Sequence, residues 1–197
     1  INTIVNNIQP QGTWIDGTFG AGGYSRALLE SGAVKVFGID KDPNVIKLSQ
    51  DLSEEFSGRF SFFLGKFSKV EEFVDKAIVD GVIFDLGVSS MQLDQAKRGF
   101  SFRHDGPLDM RMGEGGLSAA DIVNSFEEEE IADILFQYGE EKSSRLIAKK
   151  IVSARPITST LSLSTIIHGC FNNRTDTKTH PATKSFQALR IAVNDEL

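Results

Sequence analysis

The most informative segment of the sequence is the glycine-rich stretch Asp16-Gly17-Thr18-Phe19-Gly20-Ala21-Gly22-Gly23-Tyr24. It follows a short β-rich run and precedes a helical pattern that contains Ala27 and Leu28. Glycines in such a turn let a ligand approach the backbone closely. A strand, a glycine-rich turn and a helix in this order predict the first βα unit of a parallel sheet, with a binding crevice at the carboxyl ends of its strands.

The same alternation of strands and helices continues outward from this segment to about residue 100. The predicted strands cover residues 13–16, 34–40, 60–64 and 81–86. We predict a helix after Asp42, which serves as N-cap, with Pro43 at its first position. A second helix is predicted from the apolar face Val70, Phe73, Val74 and Ala77. This pattern is typical of an α/β fold with a mainly parallel sheet.

The strand signal disappears after the stretch 99–116, which is rich in Gly, Pro and Asp. Ser118 followed by Asp121 resembles a capping box, and apolar residues at helical spacing follow around 131–138 and 163–170. A further helix is predicted to open at Pro181. We therefore predict a Rossmann-like core over residues 1–105, an inserted all-helical subdomain over 106–180, and a return to the core over 181–197.

Composition narrows the class of protein. The chain has 197 residues, 40% of them hydrophobic, and a net charge of -6, which argues against indiscriminate nucleic-acid binding. Without an 18-residue apolar run or a signal-peptide pattern, we expect no membrane association and a cytoplasmic location. Because one cysteine and three histidines show no ligand spacing, no metal site is expected. Since Ile1 opens the chain and Leu197 falls in what reads as an unfinished helix, we expect a truncated chain.

Two aspartates accompany the glycine-rich turn. Asp40 ends the second predicted strand 18 residues after Gly22, where a carboxylate can accept hydrogen bonds from both ribose hydroxyls. The match to G-x-G-x-x-G is poor and the P-loop pattern is absent, so phosphate binding is not favoured. Asp16 suits a ligand that carries an ammonium group and a sulfonium cation, as S-adenosylmethionine does. A purely structural turn is the alternative for the glycines.

Asp85 ends the fourth predicted strand and is expected at the same crevice. It is predicted to contact either the cofactor or an amine to be methylated, and the alternative is an N-cap for the following segment.

Longer motifs resemble one family. They are Asp85-Leu-Gly-Val-Ser-Ser-Met-Gln92, Arg98-Gly-Phe-Ser-Phe102, Asp105-Gly-Pro-Leu-Asp-Met-Arg-Met112 and His180-Pro-Ala-Thr-Lys-Ser-Phe-Gln-Ala-Leu-Arg-Ile-Ala-Val-Asn194. Together with the glycine-rich turn, these motifs resemble the RsmH (MraW) family. The resemblance implies an S-adenosylmethionine-dependent methyltransferase core with a helical insert. It also implies methylation of N4 of a cytosine in the P-site decoding region of 16S rRNA, with free rRNA or the small ribosomal subunit as partner and no DNA.

The resemblance also assigns residues. The family's cofactor contacts fall on Gly22, Gly23, Tyr24, Asp40, Phe67, Asp85 and Gln92, with Phe67 against the adenine. Asp16 is added from its position at the end of the first strand. Asp85 is the candidate catalytic residue, because a carboxylate that accepts a hydrogen from cytosine N4 would localise the nitrogen lone pair.

RNA binding is expected from local positive charge. The candidates are Lys97, Arg98, Arg103, Arg111, Lys149, Lys150 and Lys184, with further basic residues such as Arg174 and Lys178. The alternative for the helical residues is a solvated face paired with acidic neighbours, and for the loop an internal lock by Asp105 and Asp109. Rival functions are a non-catalytic RNA-binding or ribosome-assembly protein, a nicotinamide-dependent oxidoreductase and a DNA amino-methyltransferase.

Overall fold

The structure is a computed structural model, and it describes residues 1, 5, 7–75, 78–171 and 179–196. The chain divides into two compact units, Ile1–Ser89 and Ser90–Leu197. Within the described residues, the first unit holds the parallel sheet and the second is built of helices. The domain limits predicted at 105/106 and 180/181 stay predictions.

The sheet of the first unit has four strands, β1 (Thr13–Asp16), β2 (Lys35–Asp40), β3 (Phe60–Leu64) and β4 (Gly81–Ile83). All pairs are parallel and the order is β3-β2-β1-β4. The chain passes outward from β1 to β2 and β3 on one side, and β4 lies on the other. The carboxyl ends of β1 and β4 therefore form a topological switch point, where open α/β sheets bind ligands. This arrangement confirms the predicted α/β, Rossmann-like fold class.

Helices cover the sheet as the apolar pattern predicts. The described helices of this unit include α1 (Gly23–Glu30), α2 (Ile46–Glu55) and α3 (Val70–Phe73). A 3₁₀ turn, Pro43–Val45, precedes α2, and the Asp42 side chain caps it by accepting from Asn44 N. The predicted cap is thus confirmed. Apolar residues of α1 and α2 become buried against β1, β2 and β3, which supplies the main favourable term for folding of this unit.

Two predicted elements are shorter in the structure. The fourth strand ends at Ile83 rather than residue 86, because β1, the strand with which it pairs among the described residues, ends at Asp16. The helix predicted through Val74 and Ala77 ends at Phe73, and Val74 turns extended to pack in a cluster with Ile15 and Ile39. Ala77 lies outside the described residues.

The second unit contains α4 (Ser90–Asp94), α5 (Ala119–Ser125), α6 (Glu128–Gly139), α7 (Ser144–Ser153), α8 (Thr160–His168) and α9 (Thr183–Asn194). Helix α6 packs between α7 and α9, and α7 also contacts α8. Fully buried side chains at these contacts include Leu135, Ile147, Leu163 and Leu189. No strand occurs in the described part of this unit.

Local signals in the second unit locate helix starts closely, although the helix predicted to open at Pro181 begins at Thr183. Ser118 and Asp121 form the predicted capping box, and the acidic run 127–130 opens α6 with a second capping box. Negative charge in that first turn suits the helix dipole. None of the helices in the described ranges is long and apolar enough to cross a membrane.

Candidate functional site

The glycine-rich turn lies across the carboxyl ends of three strands. Gly17 N donates to Ile83 O of β4 at 2.9 Å, and Phe19 N donates to Ile39 O of β2 at 2.9 Å. Gly22 N then closes the turn on Phe19 O at 2.7 Å, and α1 begins at the next residue. The backbone of the turn is therefore fixed at the switch point of the sheet.

Gly20 and Gly22 explain why this turn needs glycine. Both have positive φ values, 51° and 77°, which side chains with a Cβ rarely adopt. A Cβ atom on Gly22 would also lie 2.8 Å from the Phe19 ring, whereas one on Gly20 would meet nothing closer than 3.8 Å. The Phe19 ring therefore packs against Gly22, whereas the space beside Gly20 is open. A ligand that approaches the backbone needs such open space.

Asp16 lies beneath this turn and is fully buried, with 0% exposure. Its Oδ2 accepts from Ser25 N at 3.0 Å and Ser25 Oγ at 2.8 Å, and its Oδ1 accepts from Thr18 N at 3.3 Å. Burial raises the pKa of Asp16 to about 6, although these hydrogen bonds favour the charged form. Asp16 therefore ties the turn to the first turn of α1. Its predicted contact with the cofactor stays a prediction.

Asp40 lies on the other side of the turn, at the end of β2. Its Oδ2 accepts from Gly20 N at 2.7 Å and its Oδ1 accepts from Asp42 N at 2.9 Å. Burial raises the pKa of this carboxyl group above its ordinary value. The backbone N–H of Lys41 also donates to this carboxylate. A carboxylate offers about four acceptor sites, so about one remains for a ribose hydroxyl. The structure thus brings Asp40 and the glycine-rich turn together.

The first N–H groups of α1 add a third feature. Gly22 caps this helix without a side-chain hydrogen bond. The N–H groups at Gly23 and Tyr24 have no acceptor within the helix, since they belong to its first turn, whereas that of Ser25 is used by Asp16. Such a helix end favours an anionic group. This is compatible with the predicted cofactor contacts at Gly23 and Tyr24.

An aromatic pair borders the same edge of the sheet. Phe67 opens a 3₁₀ turn after β3, and its ring meets Phe84 edge-on with centroids 5.2 Å apart. Phe84 is 49% exposed, and its ring covers Gly17 so closely that a Cβ atom there would overlap it. Phe84 was not among the predicted site residues. Phe84 ends an apolar run that predicts a buried strand residue, so the run gives no sign of an exposed ring. The one sequence feature that pointed to the site was its position directly before Asp85.

Asp85 is exposed and follows Phe84 beyond the end of β4. Its backbone N donates to Thr18 Oγ1 at 2.7 Å, which fixes this position against the glycine-rich turn. Gln92 lies in α4 of the second unit and is buried. The assignments of Asp85 and Gln92 as cofactor contacts, and of Asp85 as catalytic, stay predictions.

Several candidate RNA-binding cations have partners inside the second unit. The Arg98 guanidinium donates to the carbonyls of Arg111 and Met112 at 3.0 and 3.2 Å. Arg111 forms a bidentate pair with Asp109, with distances of 3.0 and 2.6 Å. The ion pair between Arg111 and Asp109 therefore holds the loop, as predicted for Asp109 in the alternative to RNA binding. Asp105 accepts from the backbone N of Leu161 instead of from an arginine.

The other candidate RNA-binding cations among the described residues are exposed to solvent. Lys184 is exposed but donates to Glu140 O at 3.1 Å. Within the described ranges, the candidates that are exposed and have no side-chain hydrogen bond or ion pair are Lys97, Arg103, Lys149 and Lys150. Arg174 and Lys178 lie outside the described residues. No group of three or more His, Cys, Asp or Glu that could hold a metal occurs in the part of the chain that the structure describes.

Comparison with known proteins assigns this arrangement to a family. The model of the MraW methylase family matches residues 1–197. The chain belongs to the MraW methylase family. Similar proteins include three bacterial relatives named "Ribosomal RNA small subunit methyltransferase H". One from Cereibacter sphaeroides is 54% identical over 189 residues, which cover 94% of this chain and 57% of the relative.

The other two relatives align over a similar extent. The protein of Roseobacter denitrificans is 54% identical over 197 residues, or 98% of this chain and 59% of that relative. The protein of Jannaschia sp. is 52% identical over 200 residues, or 100% of this chain and 61% of that relative. The chain thus spans less than two thirds of the length of these relatives.

Proposed function

We propose that the protein containing this chain uses S-adenosylmethionine to methylate N4 of a cytosine in the P-site decoding region of 16S rRNA. The observation that carries the proposal is the turn at the switch point, where Gly20 N binds the Asp40 carboxylate at 2.7 Å. Membership of the MraW methylase family and the names of its relatives support a small-subunit rRNA substrate.

The residues present fit this cofactor. The space at Gly20 is open, Asp40 has acceptor capacity for the ribose, and the start of α1 favours the carboxylate of the methionine part. Phe67 offers aromatic area for the adenine. Bound S-adenosylmethionine supplies a methyl group already activated by the sulfonium charge. The protein then has to position the acceptor nitrogen in line and exclude water.

Asp85 has a separate role in the proposal. Cytosine N4 is a poor nucleophile because its lone pair is delocalised into the ring. Asp85 is exposed next to the turn and accepts a hydrogen bond from the N4 amino group, which localises that pair. The base reaches this position only when unstacked, so the substrate is a single-stranded or splayed segment.

The Asp85→Asn variant of the full-length protein tests this role. We expect methylation of small subunits to fall about 10²–10⁴-fold at saturating cofactor, the range typical of a positioned acid–base group. Calorimetry with S-adenosylmethionine is measured in parallel. If methylation fell only in proportion to cofactor affinity, Asp85 would be a cofactor contact and the acceptor role would be wrong. Asp51→Asn, a change at an exposed position of α2 outside the turn, serves as control.

The rival function is a non-catalytic RNA-binding or assembly protein of the same fold. Such a protein has no need to keep Asp40 hydrogen-bonded to a glycine-rich turn. Mapping of methylcytosine in rRNA from cells with and without the full-length gene separates the two. Loss of one N4-methylcytosine from the decoding region supports the proposal, and an unchanged map contradicts it.

A further inference from the structure

Four aromatic rings lie in series in the helical unit. Phe186 of α9 contacts Phe102 edge-on with centroids 4.8 Å apart, and Phe102 contacts His180 at 4.6 Å. His180 in turn lies 5.8 Å from His168, with ring planes 31° apart. Phe186 is only 5% exposed, whereas both histidines are exposed. The series therefore leads from the core to the surface.

The four rings come from three segments of the helical unit. His168 is the last residue of α8, and His180 precedes α9 and accepts from Ala182 N on Nδ1 at 3.2 Å. Phe102 lies within the loop that Arg98 closes by donating to the carbonyls of Arg111 and Met112. Because Phe102 and His180 are already held by these contacts, a ligand that stacks on them costs little further side-chain entropy at these two rings.

Packing and capping explain the positions of only three of the four rings. Core packing explains Phe186 and Phe102, and capping explains Nδ1 of His180. Neither explains the exposed His168 ring beside it. Burial, with repulsion from His168 as a second cause, lowers the pKa of His180. A lowered pKa favours the uncharged form of the His180 ring, which lies 5.8 Å from the His168 ring.

The surface around these rings suits nucleic acid. Arg103 follows Phe102 directly, is exposed, and has no ion-pair or hydrogen-bond partner for its side chain among the described residues. Exposed ring faces combined with cations are how proteins hold single-stranded nucleic acid, because every base has a π-face.

We propose that His168 and His180, supported by Phe102, form a stacking platform for an unpaired base of single-stranded RNA, with Arg103 at a neighbouring phosphate. This inference rests on the proposed function for the identity of the RNA as rRNA, but not for the stacking itself.

The test is binding of a fluorescent single-stranded RNA of about 12 nucleotides, within the site size of such surfaces, to the full-length protein without cofactor. We expect His168→Ala to weaken binding about 5–150-fold, the range for removal of one stacked base, without changing the salt dependence. His168→Phe keeps the ring and should bind like the wild type. Arg103→Ala should lower the slope of log affinity against log salt by the amount expected for one phosphate, about 0.7.

The design separates stacking from folding. His180→Phe keeps the ring and removes the cap, whereas His180→Ala removes both. Retained binding in the first and weakened binding in the second support the platform. Equal weakening in both, or unchanged binding in the double variant His168→Ala/His180→Ala, overturns it. An abasic RNA of the same length should bind wild type and double variant equally, and a difference between them would also overturn it.

Failure of the platform and failure of the proposed function give different results. If the wild type methylates small subunits while the platform variants bind and methylate like it, only the platform is wrong. If the wild type methylates no cytosine N4, the proposed function is wrong, while the stacking measurement still decides the platform.

Discussion

Asp16 shows how one residue couples the fold to the site. Its carboxylate is desolvated under the glycine-rich turn, yet it receives hydrogen bonds from Thr18 and Ser25. Desolvation has the larger effect and raises the pKa to about 6 from the ordinary 3.8. A carboxyl group whose folded-state pKa is raised stabilises the fold fully below its unfolded pKa, and that contribution is lost as pH rises through the folded pKa.

The Asp16→Asn variant of the full-length protein tests this linkage. We expect the difference in free energy of unfolding, wild type minus variant, to fall by about 2.4 kcal/mol between about pH 4 and pH 7.5, from the shift of the pKa from 3.8 to about 6. Urea denaturation across this pH range measures it. Asp51→Asn, on the exposed face of α2, should give a flat difference. A flat difference for Asp16→Asn as well would contradict the raised pKa.

At the scale of elements, α9 organises the loop that follows Gly99. Asn194, the last residue of α9, is buried and donates through Nδ2 to Met110 O at 2.7 Å. Its Oδ1 accepts from Met112 N at 2.8 Å. Met110 has a φ of 64°, a strained value for a side chain with a Cβ. One side chain thus holds a strained loop segment on the helical unit.

Removal of this side chain should loosen the loop. Asn194→Ala leaves a buried N–H and a buried carbonyl without this partner, at a cost of about 1–3 kcal/mol for each group. We expect a lower free energy of unfolding and faster hydrogen exchange at the Met112 amide in the full-length protein. Gln187→Ala, an exposed position on the same helix, is the matched control. Unchanged exchange at Met112 would show that other contacts hold the loop.

For the whole molecule, the positions of the basic residues matter more for RNA binding than the net charge does. The net charge is -6, so the chain as a whole repels phosphate. Of the predicted cations, Arg98 and Arg111 are used inside the second unit. Lys149 and Lys150 of α7 are exposed and have no ion-pair or hydrogen-bond partner within the described ranges. We therefore expect RNA affinity to depend on a few local cations.

Salt dependence measures how many cations take part. For the full-length protein and single-stranded RNA, Lys149→Ala/Lys150→Ala should lower the slope of log affinity against log salt by about 1.4, or about 0.7 for each phosphate that is no longer neutralised. Lys69→Ala removes a cation that pairs with Glu72 in the sheet unit at 3.2 Å, and it should leave the slope unchanged. An equal effect of both changes would indicate general charge attraction rather than binding at a local site.

The strands at 13–16 and 60–64, the cap at Asp42 and the capping box at Ser118 were predictable from the chain alone, because these features depend on backbone preferences of neighbouring residues. The sequence also located the turn that meets Asp40, since parallel strands end at one edge of a sheet. Four features were visible only in the folded chain. They are the desolvation of Asp16, the hydrogen bonds of Arg98 to backbone carbonyls, the exposure of Phe84 and the contact between His168 and His180. These properties depend on which distant segments pack together, and no local period in the chain records that packing.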